Sequence, residues 1–511
     1  VQYLVHHFLD QACREFPRKT ALIHGRERLR YLDVQKAADG LARRLLELGL
    51  KKGDRVGIYL EKSVEEVISV FAVSKAGGVF VILNSALKPD QVAYIMGQSG
   101  MRCLVTGPLT YGHLPPALRR KPEFVLALEG GKIRTVIGSR AKRTKDIPFP
   151  KDLTGNDLAS IIYTSGSTGF PKGVMLTHHN VCLAAHSGAK HLRNESGDVL
   201  MGVLPLSFDY GLFQLTSAFK MTGTLVLKKF ISAEDLLETA RREKVDGIAG
   251  IPTILIPLAE SRALNKIALR HLRYITNSGG KLPVKYFRKL RKALPRVKIF
   301  SMYGFTEAFR AAYLEPEELD RRPESIGKAV PNARIYVLDA NGKECGPGQT
   351  GELVQAGPLV SRGYWKNPEA TAAKIKQNPL HNDYDDPVCY SGDFVKKDKD
   401  GFLYFIGRKD QMLKCSGYRV SPDEIEAILH RHPQIRSAAA SGIPDERLGH
   451  RIRVAAVLKS GASLKPEDLL AYCRRAMPSY MVPSEIRILD KLPLTAHGKI
   501  NRALLAAGKV S

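Results

Sequence analysis

Between Tyr163 and His178 the chain reads Tyr-Thr-Ser-Gly-Ser-Thr-Gly-Phe-Pro-Lys-Gly-Val-Met-Leu-Thr-His. Thr164, Ser165, Gly166, Ser167, Thr168 and Gly169 combine hydroxyls with backbone N–H groups that no bulky side chain shields. Such a segment approaches the oxygens of a polyphosphate closely. Lys172 adds a compensating positive charge. The spacing is not that of a Walker A loop, because the place of its second glycine, counted from Gly166, is held by Pro171. Gly-Ser-Thr-Gly taken alone also fits a flexible surface linker. The whole string is too particular for a linker.

The elements that must position this loop are legible on both sides of it. Residues 159–163 are an apolar run that reads as a buried strand leading into the loop. Upstream, residues 32–48 have helical periodicity and residues 55–60 read as a strand after the Gly53-Asp54 turn. Residues 65–75 then read as a helix closed by Gly77-Gly78, and residues 79–83 as a buried strand. Ser232, with Asp235 three residues on, caps a predicted helix over 233–242. Strands are expected at 273–277 and 298–302. This alternation predicts α/β layers up to about residue 330. The Pro-rich, basic stretch 111–150 reads as a surface insertion. From about residue 330 the pattern becomes strand-turn-strand: 334–338, the Asn341-Gly342 turn, 351–355, and a hairpin from Asp400-Gly401 into 402–406. A new small unit follows, with a helix capped by Ser421 that carries Pro422 at its first position and runs over 425–430.

A chain of 511 residues accommodates two or three domains. Hydrophobic content of 44% and charge of 25% are ordinary for a globular protein. No apolar run approaches the ~20 residues that cross a bilayer, and residues 1–7 lack the pattern of a signal peptide. Seven scattered cysteines, none in a Cys-x-x-Cys pair, suggest neither a disulfide framework nor a zinc site. A reducing, cytoplasmic setting is the expectation. The formal charge of +27 is unusual and admits nucleic acid, an anionic membrane surface or an acidic partner. Residues 281–298 carry eight Lys/Arg and no acid. Within them, residues 284–294 read as an amphipathic helix with Val284, Phe287, Leu290 and Leu294 on one face and the bases on the solvated other. Aromatic residues are not interleaved with them, so no nucleic-acid partner is expected.

Further strings recur in order along the chain: Pro205-Leu-Ser-Phe-Asp-Tyr-Gly211, Met302-Tyr-Gly-Phe-Thr-Glu307, Gly351-Glu352 with Gly363-Tyr-Trp365, Tyr390-Ser-Gly-Asp393, Gly407-Arg-Lys-Asp410 leading to Gly417-Tyr-Arg-Val, and Pro493-Leu-Thr-Ala-His-Gly-Lys499. With the Tyr163–His178 string they closely resemble the signature motifs of the adenylate-forming, or AMP-binding, superfamily. That superfamily includes acyl-CoA synthetases, the adenylation domains of nonribosomal peptide synthetases, and luciferases. The Phe-Asp-Tyr-Gly and Tyr-Gly-Phe-Thr-Glu-Ala-Phe-Arg strings look most like a bacterial branch of acyl-CoA ligases found beside exosortase systems. The resemblance implies a large N-terminal α/β domain of layered sheets with a small β-barrel-like subdomain, over residues 1–408. A small mobile α+β C-terminal domain over 409–511 is implied after it, with the active site between the two.

The reaction implied by the resemblance has two halves. A carboxylate attacks the α-phosphate of ATP to give an acyl-adenylate and pyrophosphate, and a thiol then displaces AMP to give a thioester. Thr164, Ser165, Gly166, Ser167, Thr168, Gly169 and Lys172 match the loop that holds the β/γ-phosphates. Thr306 matches the residue at the α-phosphate, and Glu307 the carboxylate that ligates Mg²⁺. Tyr303, next to Gly304, matches the aromatic that stacks on adenine. Asn277, Ser278, Gly279 and Gly280 match the segment lining the adenine and acyl pockets. Asp393 matches the carboxylate on both ribose hydroxyls, with Arg408 in support. Lys499 matches the lysine that bridges substrate carboxylate and α-phosphate. Asp410 matches the hinge for rotation of the C-terminal domain, after which the Gly417 loop would line the thiol tunnel.

The acid itself is less legible. Asp209, Tyr210, Phe213, Ala249, Thr276, Met302, Arg310 and Ala311 match pocket positions. Amino-acid-activating relatives use an Asp at the position of Asp209 to bind the substrate ammonium; the same residue is equally a structural Asp bonded to local backbone. Arg310 is odd in an apolar pocket: it pairs with Asp209, binds a second carboxylate, or points elsewhere. The first reading is therefore an ATP-dependent, AMP-forming ligase that transfers the acyl group to CoA. The second is a stand-alone amino-acid-activating enzyme loading a phosphopantetheinylated, acidic carrier protein. A third is a non-catalytic or nucleic-acid-binding descendant of the fold, against which Lys499, Glu307, Asp393 and the phosphate loop all stand.

Overall fold

The computed structural model describes residues 2–137, 147–164, 171–380, 386–409, 411–415, 418–445, 449–477, 479–495 and 500–508. Two large sheets and their flanking helices make the N-terminal α/β domain, and a five-stranded sheet with three helices makes a smaller C-terminal domain.

The seven-stranded sheet is built on parallel strands Arg55–Tyr59, Val79–Ile82 and Cys103–Thr106, and ends in the antiparallel pair Leu158–Thr164 and Lys172–Thr177. Each central strand is buried on both faces, which accounts for their continuous apolar runs. The fourteen-stranded sheet has a parallel centre of Val199–Gly202, Gly247–Gly250, Tyr274–Asn277 and Lys298–Tyr303. The ladder turns antiparallel after Tyr303, through Ala312–Leu314 and Ser325–Ala329 to Leu403–Arg408, Val388–Lys397, Thr350–Ala356 and Arg334–Leu338. That antiparallel end closes over a small core of its own around Val337, Leu353, Val395 and Leu403. Helix starts follow the capping signals. Ser232 accepts from the Asp235 N–H at 3.1 Å, and Ser421 from the Asp423 N–H at 3.2 Å.

Within the stretch 111–150, residues 124–137 are not a surface insertion but sheet. Phe124–Glu129 runs parallel to Cys103–Thr106, buries Phe124, Val125, Leu126 and Leu128, and pairs with Lys132–Ile137 to form the edge of the seven-stranded sheet. The basic helix Val284–Ala293 has two employed faces rather than one. It buries Tyr286, Phe287 and Leu290. It also meets the C-terminal domain, where the Lys285 ammonium donates to the Ile435 carbonyl at 2.8 Å and the Tyr286 hydroxyl to the Arg436 carbonyl at 2.9 Å.

The C-terminal domain has a separate core of Leu413, Val420, Ile425, Leu429, Ile435, Ile452, Val454 and Leu469, among others. Among the described residues, no helix is long and apolar enough to cross a membrane, and the cysteines are all free.

Candidate active site

The candidate residues come from the ends of strands in both sheets. The phosphate-loop candidates Ser165, Gly166, Ser167, Thr168 and Gly169 lie outside the described residues. The base of that loop is held by the ladder, where Thr164 stands opposite Lys172. The segment 361–365 packs along the second strand of this pair: Arg362 N–H donates to the Met175 carbonyl, Met175 N–H to Gly363 and Trp365 N–H to Gly173, at 2.7–3.0 Å. This register lays the Tyr364 ring under the Lys172 ammonium, 5.6 Å from the ring centroid. The Tyr364 hydroxyl donates to the Glu307 carboxylate, and the Ser361 N–H donates to the Glu307 carbonyl at 2.8 Å. Burial, with the Glu307 charge adding to it, raises the Tyr364 phenol, which therefore stays a donor. Lys172, Tyr364 and Glu307 thus form one chain from the loop base to the Thr306-Glu307 turn.

A second group gathers where the antiparallel ladder begins. Asp393 stands opposite Arg408, and the Arg408 Nε lies 3.9 Å from Asp393 Oδ1. The Tyr303 hydroxyl donates to Asp393 Oδ2 at 2.5 Å. Burial, then the Asp393 charge, pushes the Tyr303 phenol well above its ordinary value, so this proton stays on tyrosine. The backbone around Asp393 is fixed by neighbours: Ser391 Oγ accepts from the Asp393 N–H at 3.0 Å, and Gly392 N–H donates to Glu352 at 3.0 Å. Glu352 also binds Lys409 at 2.9 Å.

The third group lines the space between these strands and the helix Asp209–Lys220. Ala249 is the ladder partner of Thr276, and Asn277 of Ser301. Asn277 Nδ2 donates to the Gly280 carbonyl at 3.0 Å, and Ser278 N–H to Gly250 at 3.2 Å. Gly279 has φ of +72°, a left-handed turn suited to glycine. The Tyr210 hydroxyl bonds Thr276 Oγ1. The helix approaches closely because Gly211 lacks a side chain: a Cβ there would sit 1.9 Å from the Pro205 carbonyl oxygen. Asp209 accepts from its own helix, the Tyr210 N–H at 2.7 Å, and from the Thr306 hydroxyl at 3.2 Å. Arg310 does not form a contact ion pair with Asp209. Its guanidinium lies 4.6 Å from the Tyr210 ring centroid and 3.8 Å from that of Phe213. Met302 and Ala311 are buried.

Asp410, Gly417 and Lys499 lie outside the described residues. Their flanks are well tied. Leu494 and Ile500 pair as an antiparallel bridge, and Asn501 N–H donates to the Pro493 carbonyl at 2.8 Å. Arg502 binds Asp423 at 3.0 Å and also Glu426, which anchors the terminal helix Arg502–Ala506 to the helix Pro422–Leu429.

Four residues of this region carried no assigned role in the sequence: Tyr364, Gln355, Gly188 and His191. Tyr364 belongs to a recognised string, but its partner Glu307 is 57 residues away. Gln355 donates to the carbonyls of Ala308 and Arg310 at 3.2 and 2.8 Å, and no local pattern marks it.

Chemically, the arrangement offers a carboxylate for a ribose-like diol beside an aromatic ring, and a lysine and a carboxylate near a glycine-rich loop. Among the described residues no cluster of three or more His, Cys, Asp or Glu is arranged to hold a metal. A single carboxylate such as Glu307 fits Mg²⁺ that arrives on phosphates and keeps waters, rather than one held in an all-protein cage.

Residues 9–365 match the family model described as AMP-binding enzyme, and residues 424–499 that described as AMP-binding enzyme C-terminal domain. The chain is 31% identical over 505 residues to tyrocidine synthase 2 of Brevibacillus parabrevis, covering 98% of this chain but 13% of that one. It therefore spans only a small part of such a synthase. It is 29% identical over 537 residues to a long-chain-fatty-acid–CoA ligase of Bacillus subtilis, covering 97% of this chain and 92% of the other. Among solved structures, ATP-bound MatB from Rhodopseudomonas palustris superposes with a TM-score of 0.87 at 25% identity over 99% of both chains. The o-succinylbenzoate CoA synthetase of Bacillus subtilis, in complex with its acyl-adenylate intermediate, gives 0.84 at 27% identity over 98% and 97%. Two matching family models over most of the sequence lead to one assignment: the chain belongs to the AMP-binding enzyme family.

Proposed function

We propose that the protein is an ATP-dependent, AMP-forming acid–thiol ligase, with CoA as the thiol. The observation that carries this reading is the convergence of Tyr303–Asp393–Arg408, Asp209–Thr306 and Lys172–Tyr364–Glu307 on one region. In this reading Asp393 accepts from the ribose hydroxyls while Tyr303 stacks on the base. Lys172 and the 164–169 loop hold the β/γ-phosphates, and Thr306 stands at the α-phosphate with its hydroxyl proton directed to Asp209. Mg²⁺ bound with the nucleotide would be held by Glu307 and would neutralise charge on the phosphate oxygens. An oxygen of the acid attacks the α-phosphorus, and the bond to pyrophosphate breaks. Lys499 bridges the two anions as they meet. The domain of residues 409–511 then turns about Asp410. A thiolate sulfur attacks the acyl carbon along the Gly417 side, and the carbon–oxygen bond to AMP breaks.

A second reading, loading of an amino acid onto a phosphopantetheinylated carrier protein, is favoured by Asp209 at the start of its helix and by the likeness to tyrocidine synthase 2. Pyrophosphate release is to be measured with fatty, aryl and amino acids, followed by thioester formation with free CoA and with a loaded carrier. Thioester on CoA supports the first reading and thioester on the carrier alone the second. Failure of every acid to release pyrophosphate from ATP would sink both.

A further inference from the structure

Arg310 is a buried cation without a counter-charge in contact. The residue is 5% exposed, and its Nε and Nη2 have no hydrogen-bond partner among the described residues. Asp209 attracts it through space, but the Asp209 oxygens are taken up by Thr306 and the Tyr210 N–H. His191, which also lies close enough to feel the guanidinium, is driven by burial down to about 3 and offers no negative charge. The Tyr210 and Phe213 ring faces offset part of the cost of burying the cation. They leave the in-plane N–H donors unmatched, and those donors suit a carboxylate met edge-on.

The surroundings hold the side chain in this place. Phe309 has φ of +30°, an uncommon backbone for a bulky residue. Gln355 pins the Ala308 and Arg310 carbonyls on either side of it. Phe213 is backed by Gly188, where a Cβ would lie 2.2 Å from the ring. A rigid, dehydrated guanidinium with open donors is a preorganised anion receptor.

We propose that the acid this enzyme activates is a dicarboxylate, whose second carboxylate, at the far end of the acyl group, pairs with Arg310 while the first attacks ATP. This rests on the adenylation reading above and adds the substrate class. A monocarboxylic acid of the same length would leave Arg310 buried and unpaired, so the site discriminates against it.

The test is pyrophosphate release by the full chain with straight-chain α,ω-dicarboxylic acids, each against the monocarboxylic acid of equal carbon count, together with aryl and amino acids. The parent enzyme should favour a diacid in kcat/KM on the order of a hundredfold. Arg310→Met should erase that preference by raising KM for the diacid, with KM for ATP unmoved. Arg310→Lys, which keeps the charge without the planar fork, should retain part of the preference. The parent comparison decides even if Arg310→Met fails to fold. Preference of the parent for a monoacid or an amino acid overturns the proposal while leaving the ligase reading intact. A rise in KM for ATP equal to that for the acid in Arg310→Met assigns the guanidinium to phosphate and also overturns it. Release with no acid of any class removes the adenylation reading and the proposal together.

Discussion

Tyr364→Phe separates the role of one hydrogen bond from everything else at the nucleotide site. The segment carrying Tyr364 is held by three backbone bonds to the strand Lys172–Thr177, none of which involves the phenol. Phenylalanine keeps the ring, its burial and its face toward Lys172. What goes is the hydroxyl donated to Glu307. A hydrogen bond to an ionised group contributes roughly 1.5–3 kcal/mol. Glu307 is only half-buried, so water takes up part of the loss and about 1–2 kcal/mol remains. At ~1.4 kcal/mol per factor of ten, the carboxylate should hold Mg²⁺ about tenfold more weakly, in the range expected when a ligand loses its outer support. Calorimetric titration with ATP, with and without Mg²⁺, needs no knowledge of the acid. The Mg²⁺-dependent gain in affinity should shrink about tenfold in Tyr364→Phe, and by more in Glu307→Gln, which removes the charge itself. ATP binding in chelator should be the same in all three proteins. An undiminished Mg²⁺ gain in Tyr364→Phe would refute the claim that the phenol orients the ligand. An undiminished gain in Glu307→Gln would remove Glu307 from the metal.

Asp393→Ala should weaken nucleotide binding on the order of a hundredfold, since two charge-assisted bonds to the ribose are lost; wild-type affinity in fluorescence titration would place the ribose elsewhere. Lys499→Ala should abolish pyrophosphate release but leave thioester formation from a supplied acyl-adenylate, and loss of both in a folded protein would count against rotation of the C-terminal domain. Buried histidines, His6, His178 and His191 among them, contribute to the acid limit of the fold. Burial lowers His6 to about 3, His178 to about 4 and His191 to about 3, from an ordinary 6.5. Each is neutral in the native state, so the unfolded chain takes up protons first as pH falls. Their contribution is present above the ordinary value and is lost through the acid range, offset in part by Glu66 and Glu426, which burial raises to about 8 and about 7 so that the native state holds their protons first. The urea midpoint should therefore fall from about pH 6.5 to about pH 4, most steeply below about pH 4.5, where the two carboxylates no longer offset the loss; a midpoint that does not fall below about pH 4.5 would show that these rings take up protons in the native state.

The residues proposed for the nucleotide sit in short strings whose neighbours on the chain are also neighbours in space. Tyr303, Thr306 and Glu307 lie within five residues of one another, and Asp393 directly follows the Ser391-Gly392 bend that aims it. The elements were legible for a similar reason: the helix Ala233–Arg242 and its Ser232 cap are local, and the strands Tyr274–Asn277 and Lys298–Tyr303 are short apolar runs between turn residues. Where local chemistry conflicts with the tertiary outcome, the sequence misleads. The prolines at 115, 116 and 122 and the bases near them outweighed the apolar run 124–128, which is sheet because Cys103–Thr106 offers it an edge.

Arg310 and Asp209 show a second kind of limit. Both are evident as charges in the chain, and an internal pair is the obvious guess. Whether two side chains about a hundred residues apart meet depends on the pitch of one helix and one strained turn. The Asp209–Lys220 helix can dock only because Gly211 and Gly188 give it room. That docking puts Tyr210 and Phe213 against the guanidinium, and the Asp209 oxygens against Thr306 and the helix N–H. A methyl group at either glycine would break the arrangement by displacing backbone or a core ring, at a cost of about 1–3 kcal/mol or more. Where these two charges come to lie is therefore decided by glycines that carry no charge, and pattern matching on the charged residues alone cannot reach it.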